Sequence, residues 1–376
     1  MDESIKWRIL GSSVTGSSKL AHGKANQDAI CWKPAEGNAD AVALAISDGH
    51  GSPGSFRSEI GARQAVEIAT EELLAFLPGC RERSLSQIGD SLRRQLPPAI
   101  VRRWHDQIRE HLRQHPFSAE ERTTLAAYTG GAPNTEVTDL IAYGATLVCA
   151  LAAADFLFLL QIGDGDAVVV YEEGRAIRPV PPDPRLVGNV TTSLCAEDAA
   201  ADVRVAMLEF GEAGPPELVL LSSDGYYNSF QSTESFLQAA VDLLRSLRSE
   251  GLDKLQESLP AWLAGISREG SGDDVTLGMI KRQRADDFDT VLRRIQTCER
   301  TAKDHAREIE SLRFRAIGSS RGNHAVRVLH KLLDRLAWLA TLSTTVAVGA
   351  VLLASWTRRD RARPNRTDAK ANMGGQ

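Results

Sequence analysis

Aspartates, most of them beside glycine, recur along this 376-residue chain at places where short apolar runs stop or start. Asn26-Gln27-Asp28, Ser47-Asp48-Gly49-His50-Gly51, Ile162-Gly163-Asp164-Gly165-Asp166 and Ser223-Asp224-Gly225 each sit where such a run stops, and Gly272-Asp273-Asp274-Val275-Thr276 begins one. Carboxylates at strand ends can converge on one rim of a sheet, and cations relieve their mutual repulsion. Hard oxygen ligands of this kind select Mg²⁺ or Mn²⁺ over zinc. A neighbouring glycine lets the backbone approach an ion and leaves a carbonyl free as a ligand. A single Asp-Gly is ordinarily a turn, so the weight rests on the set of five motifs and their order.

Elements able to carry these residues are legible around them. Apolar or β-branched runs predict strands at about 7–14, 28–32, 42–47, 146–153, 156–162, 166–172, 203–208, 217–222 and 275–280. Helical periodicity follows residue 56, fills much of 84–115, and returns at 234–248 and 252–267. Strand runs separated by long helical pairs imply layered sheets covered by helices. Two stretches read as loops: 116–140, punctuated by Pro116, Gly130, Gly131 and Pro133, and 181–190.

Formal net charge is -5, but it is unevenly spread: residues 1–280 hold 24 basic against 39 acidic side chains, and 281–376 hold 20 against 10. The acidic part disfavours nucleic acid, whose phosphates are bound by clustered cations, and favours divalent metal. Five scattered cysteines without zinc-like spacing fit a reducing compartment. Met1 to Leu10 has no apolar run of a secretory signal, so the expected location of the acidic domain is cytoplasmic.

After Ile280 the pattern changes. A heptad can be written over 288–312, with Phe288, Ile295, Ala302 and Ile309 at one seam position and Val291, Cys298, His305 and Leu312 at the other. It fits a single solvated stalk or a short self-associating coil. Residues 336–356 contain no ionisable side chain, and 21 residues of helix span roughly 31 Å, close to the hydrocarbon thickness of a bilayer. Trp338 and Trp356 near its ends and Arg335, Arg358 and Arg359 beside it complete the pattern of a single transmembrane helix. The expected organisation is a catalytic domain over 1–282, a helical stalk over 283–333, a membrane span over 334–357 and a basic tail over 358–376.

In their order over roughly 10–280, the motifs resemble the metal-dependent protein phosphatase family, the type 2C serine/threonine enzymes. Asp48-Gly49-His50-Gly51, Gly144-Ala145-Thr146, Ser223-Asp224-Gly225 and Asp273-Asp274-Val275-Thr276 carry the resemblance. It implies a four-layer αββα sandwich of two antiparallel sheets covered by helices. By the same resemblance Asp48 bridges two Mn²⁺ or Mg²⁺ ions, the Gly49 carbonyl touches the second, Asp224 and Asp273 hold the first, and Asp28 holds a water of the pair. Asp164, with Asp224, resembles the site of a third, weaker ion; Asp166 and Asp274 are expected to support. His50 resembles the general acid proposed for the family, which protonates the departing oxygen. The implied reaction is attack of a metal-activated water on a phosphoserine or phosphothreonine, with no phosphoenzyme. The implied partners are a phosphoprotein substrate and a cognate serine/threonine kinase system.

Two positions depart from the family pattern. Where an arginine usually grips phosphate, five residues before Asp28, this chain has Gly23. Lys24, with His22 beside it, is the expected substitute; Lys19 and Arg57 are the alternatives. Gln27 stands where many members have glutamate. The missing arginine leaves a rival reading, a membrane-anchored pseudophosphatase that binds a phosphorylated partner without turnover.

Overall fold

The computed structural model describes residues 5–80, 82–131, 136–186, 191–211, 214–283 and 307. In chain order the elements are β1 (Lys6–Val14), α1 (Ser17–Ala21), β2 (Ala29–Lys33), β3 (Asn38–Ala39), β4 (Val42–Ser47), α2 (Ser58–Phe76), α3 (Leu85–Gln114), α4 (Ala119–Tyr128) and α5 (Glu136–Leu140). There follow β5 (Leu147–Ala152), β6 (Phe156–Ile162), β7 (Asp166–Val170), β8 (Ala176–Ile177), α6 (Ala199–Asp202), β9 (Arg204–Glu209), β10 (Leu218–Ser222), α7 (Asp224–Tyr227), α8 (Thr233–Glu250), α9 (Leu252–Glu269) and β11 (Val275–Gln283).

The strands form two antiparallel sheets, ordered β3-β1-β11-β10-β7-β8 and β2-β4-β5-β6-β9. Side-chain alternation explains why they stack. In β4, Val42, Leu44 and Ile46 enter the core between the sheets, while Ala43 and Ala45 face the helices on the other side. Both faces are buried, so the strand reads as an unbroken apolar run rather than an alternating one.

The inter-sheet core also takes Trp7, Leu157, Leu159, Val169, Val219 and Leu221. Outside the second sheet, Ala65, Val66, Ala69 and Leu73 of α2 and Leu92, Leu96 and Trp104 of α3 pack on Cys149, Leu151, Phe158 and Leu160. Outside the first sheet, Phe236, Leu243 and Leu244 of α8 and Leu259 and Leu263 of α9 cover Val168, Leu220, Leu277 and Met279. Helix, sheet, sheet and helix therefore succeed one another, each fully buried Leu or Val contributing roughly 1.5–3 kcal/mol.

All nine expected strands are present; the two-residue β3 and β8 are additions that carry too few side chains to show a period. The expected loop over 116–140 is corrected: it contains α4 and α5. Ser118 and Glu121 form a reciprocal capping box that starts α4 in spite of the surrounding Pro and Gly.

Met1–Arg284 groups as one compact unit and Ala285–Gln376 as a second. Apart from Arg307, the second lies outside the described residues, and so do the stalk over 288–312 and the span over 336–356 expected from the sequence. Among the described residues no helix is long and apolar enough to cross a membrane.

Candidate functional site

Antiparallel register gathers the aspartates. Ser47 pairs with Ala29, which sets Asp48, just past β4, beside Asp28, just before β2. Asp28 thus begins a strand instead of ending an apolar run, because the run that matters is 29–33. In the other sheet Ser222 faces Asp166 on one side and Leu277 on the other, so Asp224, opening α7 after β10, comes next to Asp273 and Asp274 ahead of β11. The sheets meet here. Thr276 Oγ1 of β11 donates to Asp28 Oδ2 at 2.7 Å, and the charges of Asp28 and Asp224 both act on the Asp48 carboxyl.

The turn carrying Asp48 is fastened through its backbone. Asp48 N–H donates to Thr146 Oγ1 at 3.1 Å, and Thr146 N–H donates to Asp48 O at 2.8 Å. Gly49 N–H donates to Gln27 O at 3.1 Å, and His50 N–H to Gly144 O at 2.9 Å. A β-carbon on Gly49 would lie 2.7 Å from Ser58 O and 2.8 Å from Gln27 O, closer than any side chain tolerates. Gln27 explains its own departure from glutamate: Nε2 donates to His50 O at 3.1 Å and Ser58 Oγ at 2.6 Å, and a carboxylate has no such donor.

Asp164 sits in the β6–β7 turn, which Gln161 and Arg204 brace from two sides. Buried Gln161 donates through Nε2 to Gly163 O and Gly165 O, and Arg204 donates to Gly163 O at 2.6 Å. Neither brace was expected from the sequence; the one signal was a lone amide at the end of an apolar strand. Asp166 is buried and paired with Arg178 at 2.6 Å. Burial raises its carboxyl to about 6 against the opposing charge of Arg178. Asp274 is buried and accepts from Gly16 N and Gln27 N, each at 2.7 Å, and from Lys19 Nζ at 2.6 Å.

Burial and crowding dominate the electrostatics. Burial pushes Asp28 up to about 7, the Thr276 hydroxyl opposing and the charges of Asp274 and Asp224 adding. Burial, then the charges of Asp28 and Asp224, holds Asp48 well above the carboxylate range, and Asp224 is raised mainly by burial. Asp28 Oδ1 and Asp224 Oδ1 are buried without a hydrogen-bond partner. Orphaned oxygens in a self-repelling cluster fit divalent cations. Among the described residues, no three or more His, Cys, Asp or Glu side chains are gathered to hold one ion by themselves.

His50 packs over Gly144, with its Cδ2 where a β-carbon would otherwise go. Burial lowers its pKa, the charge of Asp164 opposing, so the ring is mostly neutral at pH 7. The expected phosphate-gripping cations are placed differently. Lys24 and His22 are exposed, the His22 ring 2.8 Å from Ser18 O, and among the described contacts neither reaches the carboxylates. Arg57 is engaged elsewhere: it donates to Glu121 at 2.7 and 2.9 Å, to Tyr143 Oη at 2.7 Å and to His115 O at 2.6 Å. It clamps α4 and is not free to grip phosphate. Lys19 is the cation among the carboxylates. Burial draws its pKa down, but Asp274 and the charges of Asp273 and Asp48 leave it above its ordinary value.

Three solved bacterial phosphatases are similar to the chain in overall arrangement. PppA of Pseudomonas aeruginosa matches at 17% identity over 74% of this chain and 98% of its own, with TM-score 0.47. Stp1 of Staphylococcus aureus matches at 17% over 73% and 95%, with TM-score 0.45. PstP of Mycobacterium tuberculosis matches at 18% over 73% and 98%, with TM-score 0.42. No curated protein matches the sequence. The family model described as Protein phosphatase 2C matches residues 15–264, about two thirds of the chain. On that match, and not on the distant structural likenesses, the chain belongs to the protein phosphatase 2C family.

Proposed function

We propose that this protein phosphatase hydrolyses phosphoserine and phosphothreonine in protein substrates, with two Mg²⁺ or Mn²⁺ ions held on the carboxylate rim. The observation that carries the proposal is the meeting of Asp28, Asp48, Asp224 and Asp273 across the two sheets, with buried oxygens of Asp28 and Asp224 left without partners. Asp48, the Gly49 carbonyl, Asp224 and Asp273 would hold the two ions, Asp28 would orient water, and Asp164 with Asp224 would take a third ion. Bound there, such ions polarise the phosphoryl oxygens and lower the pKa of water.

The chain's own groups do the rest. The Gln27 amide and the Thr146 hydroxyl brace the Asp48 turn, and Thr276 binds one oxygen of Asp28 while the other, buried, has no hydrogen-bond partner. The imidazolium form of His50, a minor fraction near neutral pH because burial lowers its pKa, would pass its proton to the departing serine or threonine oxygen, and the neutral ring left behind would take up a proton from solvent.

We further infer that residues 336–356 tether the enzyme to a membrane as a single pass, with the phosphatase domain over 1–282 on the cytoplasmic side, opposing a serine/threonine kinase in signalling. The uncharged 21-residue segment between flanking arginines supports this. Release of phosphate from p-nitrophenyl phosphate and from a phosphothreonine peptide tests the chemistry. Mn²⁺ or Mg²⁺ should support both, EDTA should stop both, and Asp48→Asn should be inactive with unchanged circular dichroism. Asp48→Asn with full turnover would rule out the ligand assignment, and binding of the phosphopeptide without turnover would leave a pseudophosphatase.

A further inference from the structure

Six carboxylates crowd this rim, Asp28, Asp48, Asp164, Asp224, Asp273 and Asp274, and the ammonium group that the described contacts bring among them is that of Lys19. Its Nζ lies 2.6 Å from Asp274 Oδ2 and 3.3 Å from Asp273 Oδ1. The Lys19 side chain is 15% exposed, Asp274 1% and Asp273 50%, so the pair with Asp274 is screened far less than an ordinary surface ion pair.

Its placement is built by the backbone around it. Gly16 N–H donates to Asp274 Oδ1 at 2.7 Å, Ser17 N–H to Ser267 Oγ at 2.9 Å, and Ser18 N–H to Gly272 O at 3.0 Å. These bonds lock α1 onto the segment ahead of β11. Asp274 accepts from Gln27 N as well, so the same carboxylate ties both ends of the 16–27 segment to the strand that carries Thr276.

We propose that Lys19 is a built-in counter-ion: its ammonium neutralises the Asp273–Asp274 pair when no metal is bound and competes with a divalent ion for Asp273. The inference rests on the proposed metal site and adds a positioning residue to it. Asp274, whose acceptor sites are taken by two backbone N–H groups and Lys19, stays with the lysine, while the half-exposed Asp273 is the oxygen donor that exchanges between ammonium and metal. The lysine holds the carboxylates in place beforehand, at the expense of metal affinity. A thermodynamic cycle links the two effects: whatever stability Lys19 lends the metal-free fold is subtracted from the free energy of ion binding.

The test compares wild type, Lys19→Met and Lys19→Arg by Mn²⁺ titration calorimetry and by thermal melting in EDTA and in saturating Mn²⁺. Lys19→Met is expected to bind Mn²⁺ roughly tenfold more tightly, since a like charge within a few ångströms of the ion is removed. It should lose more melting temperature in EDTA than in saturating Mn²⁺, where only the lost pair with Asp274 still counts. Lys19→Arg, which keeps the charge, should return both readings to within about threefold and a degree or two of wild type. An unchanged or weaker Kd for Lys19→Met, or an equal melting deficit with and without Mn²⁺, overturns the proposal in favour of a plain structural brace. If Lys19→Met does not fold in EDTA, saturating Mn²⁺ decides alone: a chain that folds there supports the counter-ion, and one that stays unfolded there refutes it. A wild-type chain that binds no Mn²⁺ overturns the proposed function and this inference together, whereas normal wild-type binding with unaltered variant binding overturns only this inference.

Discussion

Burial lowers the pKa of His50 and so limits the proton-donating imidazolium form near neutral pH, and the chemistry that needs this donor is the departure of a poor leaving group. Serine and threonine oxygens need a proton as the P–O bond breaks; p-nitrophenolate does not. His50→Gln should therefore lower kcat on a phosphothreonine peptide by roughly 10²-fold and leave kcat on p-nitrophenyl phosphate within a few-fold of wild type. Equal losses on both substrates would make His50 a structural residue packed on Gly144. The aspartates make a second prediction. Asp28 is raised to about 7 in the fold, and Asp48 and Asp224 are raised as well, so between the ordinary carboxylate range and about pH 7 the folded chain binds more protons than the unfolded one. Stability then falls as pH rises. In EDTA the chain should melt at a higher temperature near pH 5 than near pH 8, and saturating Mn²⁺ should shrink that difference; a melting temperature that rises with pH in EDTA would contradict the burial of these carboxylates.

At the scale of elements, α4 depends on one clamp. Arg57, at the start of α2, reaches both oxygens of Glu121 and stacks over Phe117 at 4.7 Å. Glu121→Ala removes the carboxylate from a guanidinium that is 13% exposed and also breaks the capping box with Ser118. It should cost about 1–3 kcal/mol in urea unfolding while metal-supported turnover of a small substrate stays near wild type. Loss of turnover with no loss of stability would mean that Arg57 serves the chemistry after all. Strands with both faces buried, such as β4 and β6, were legible because their apolar runs are continuous and bounded. α4 was obscured by the Pro and Gly around it, although Ser118 and Glu121 stood at capping-box spacing. Lys19 was legible only as a bare cation. Its helix has five residues and no period, and its partners lie more than 250 positions away, so only the β1–β11 pairing reveals the contact.

For the whole molecule, the separation is between the unit Met1–Arg284, in which every proposed site residue lies, and the remainder. The family match ends at residue 264, yet Asp273 and β11 beyond it belong to the same unit, since β11 pairs with β1 and β10 and completes the first sheet. Deleting residues 330–376 should release the chain from lipid vesicles with phosphate release unchanged; a truncated chain that still sediments with vesicles would refute the tether. The central claim is that aspartates from two sheets share divalent ions. An anomalous difference map from crystals grown in Mn²⁺ tests it most directly. The account predicts peaks among Asp48, Asp224 and Asp273, with Asp28 beside them. A protein active in Mn²⁺ whose map shows no ion at those carboxylates would contradict it.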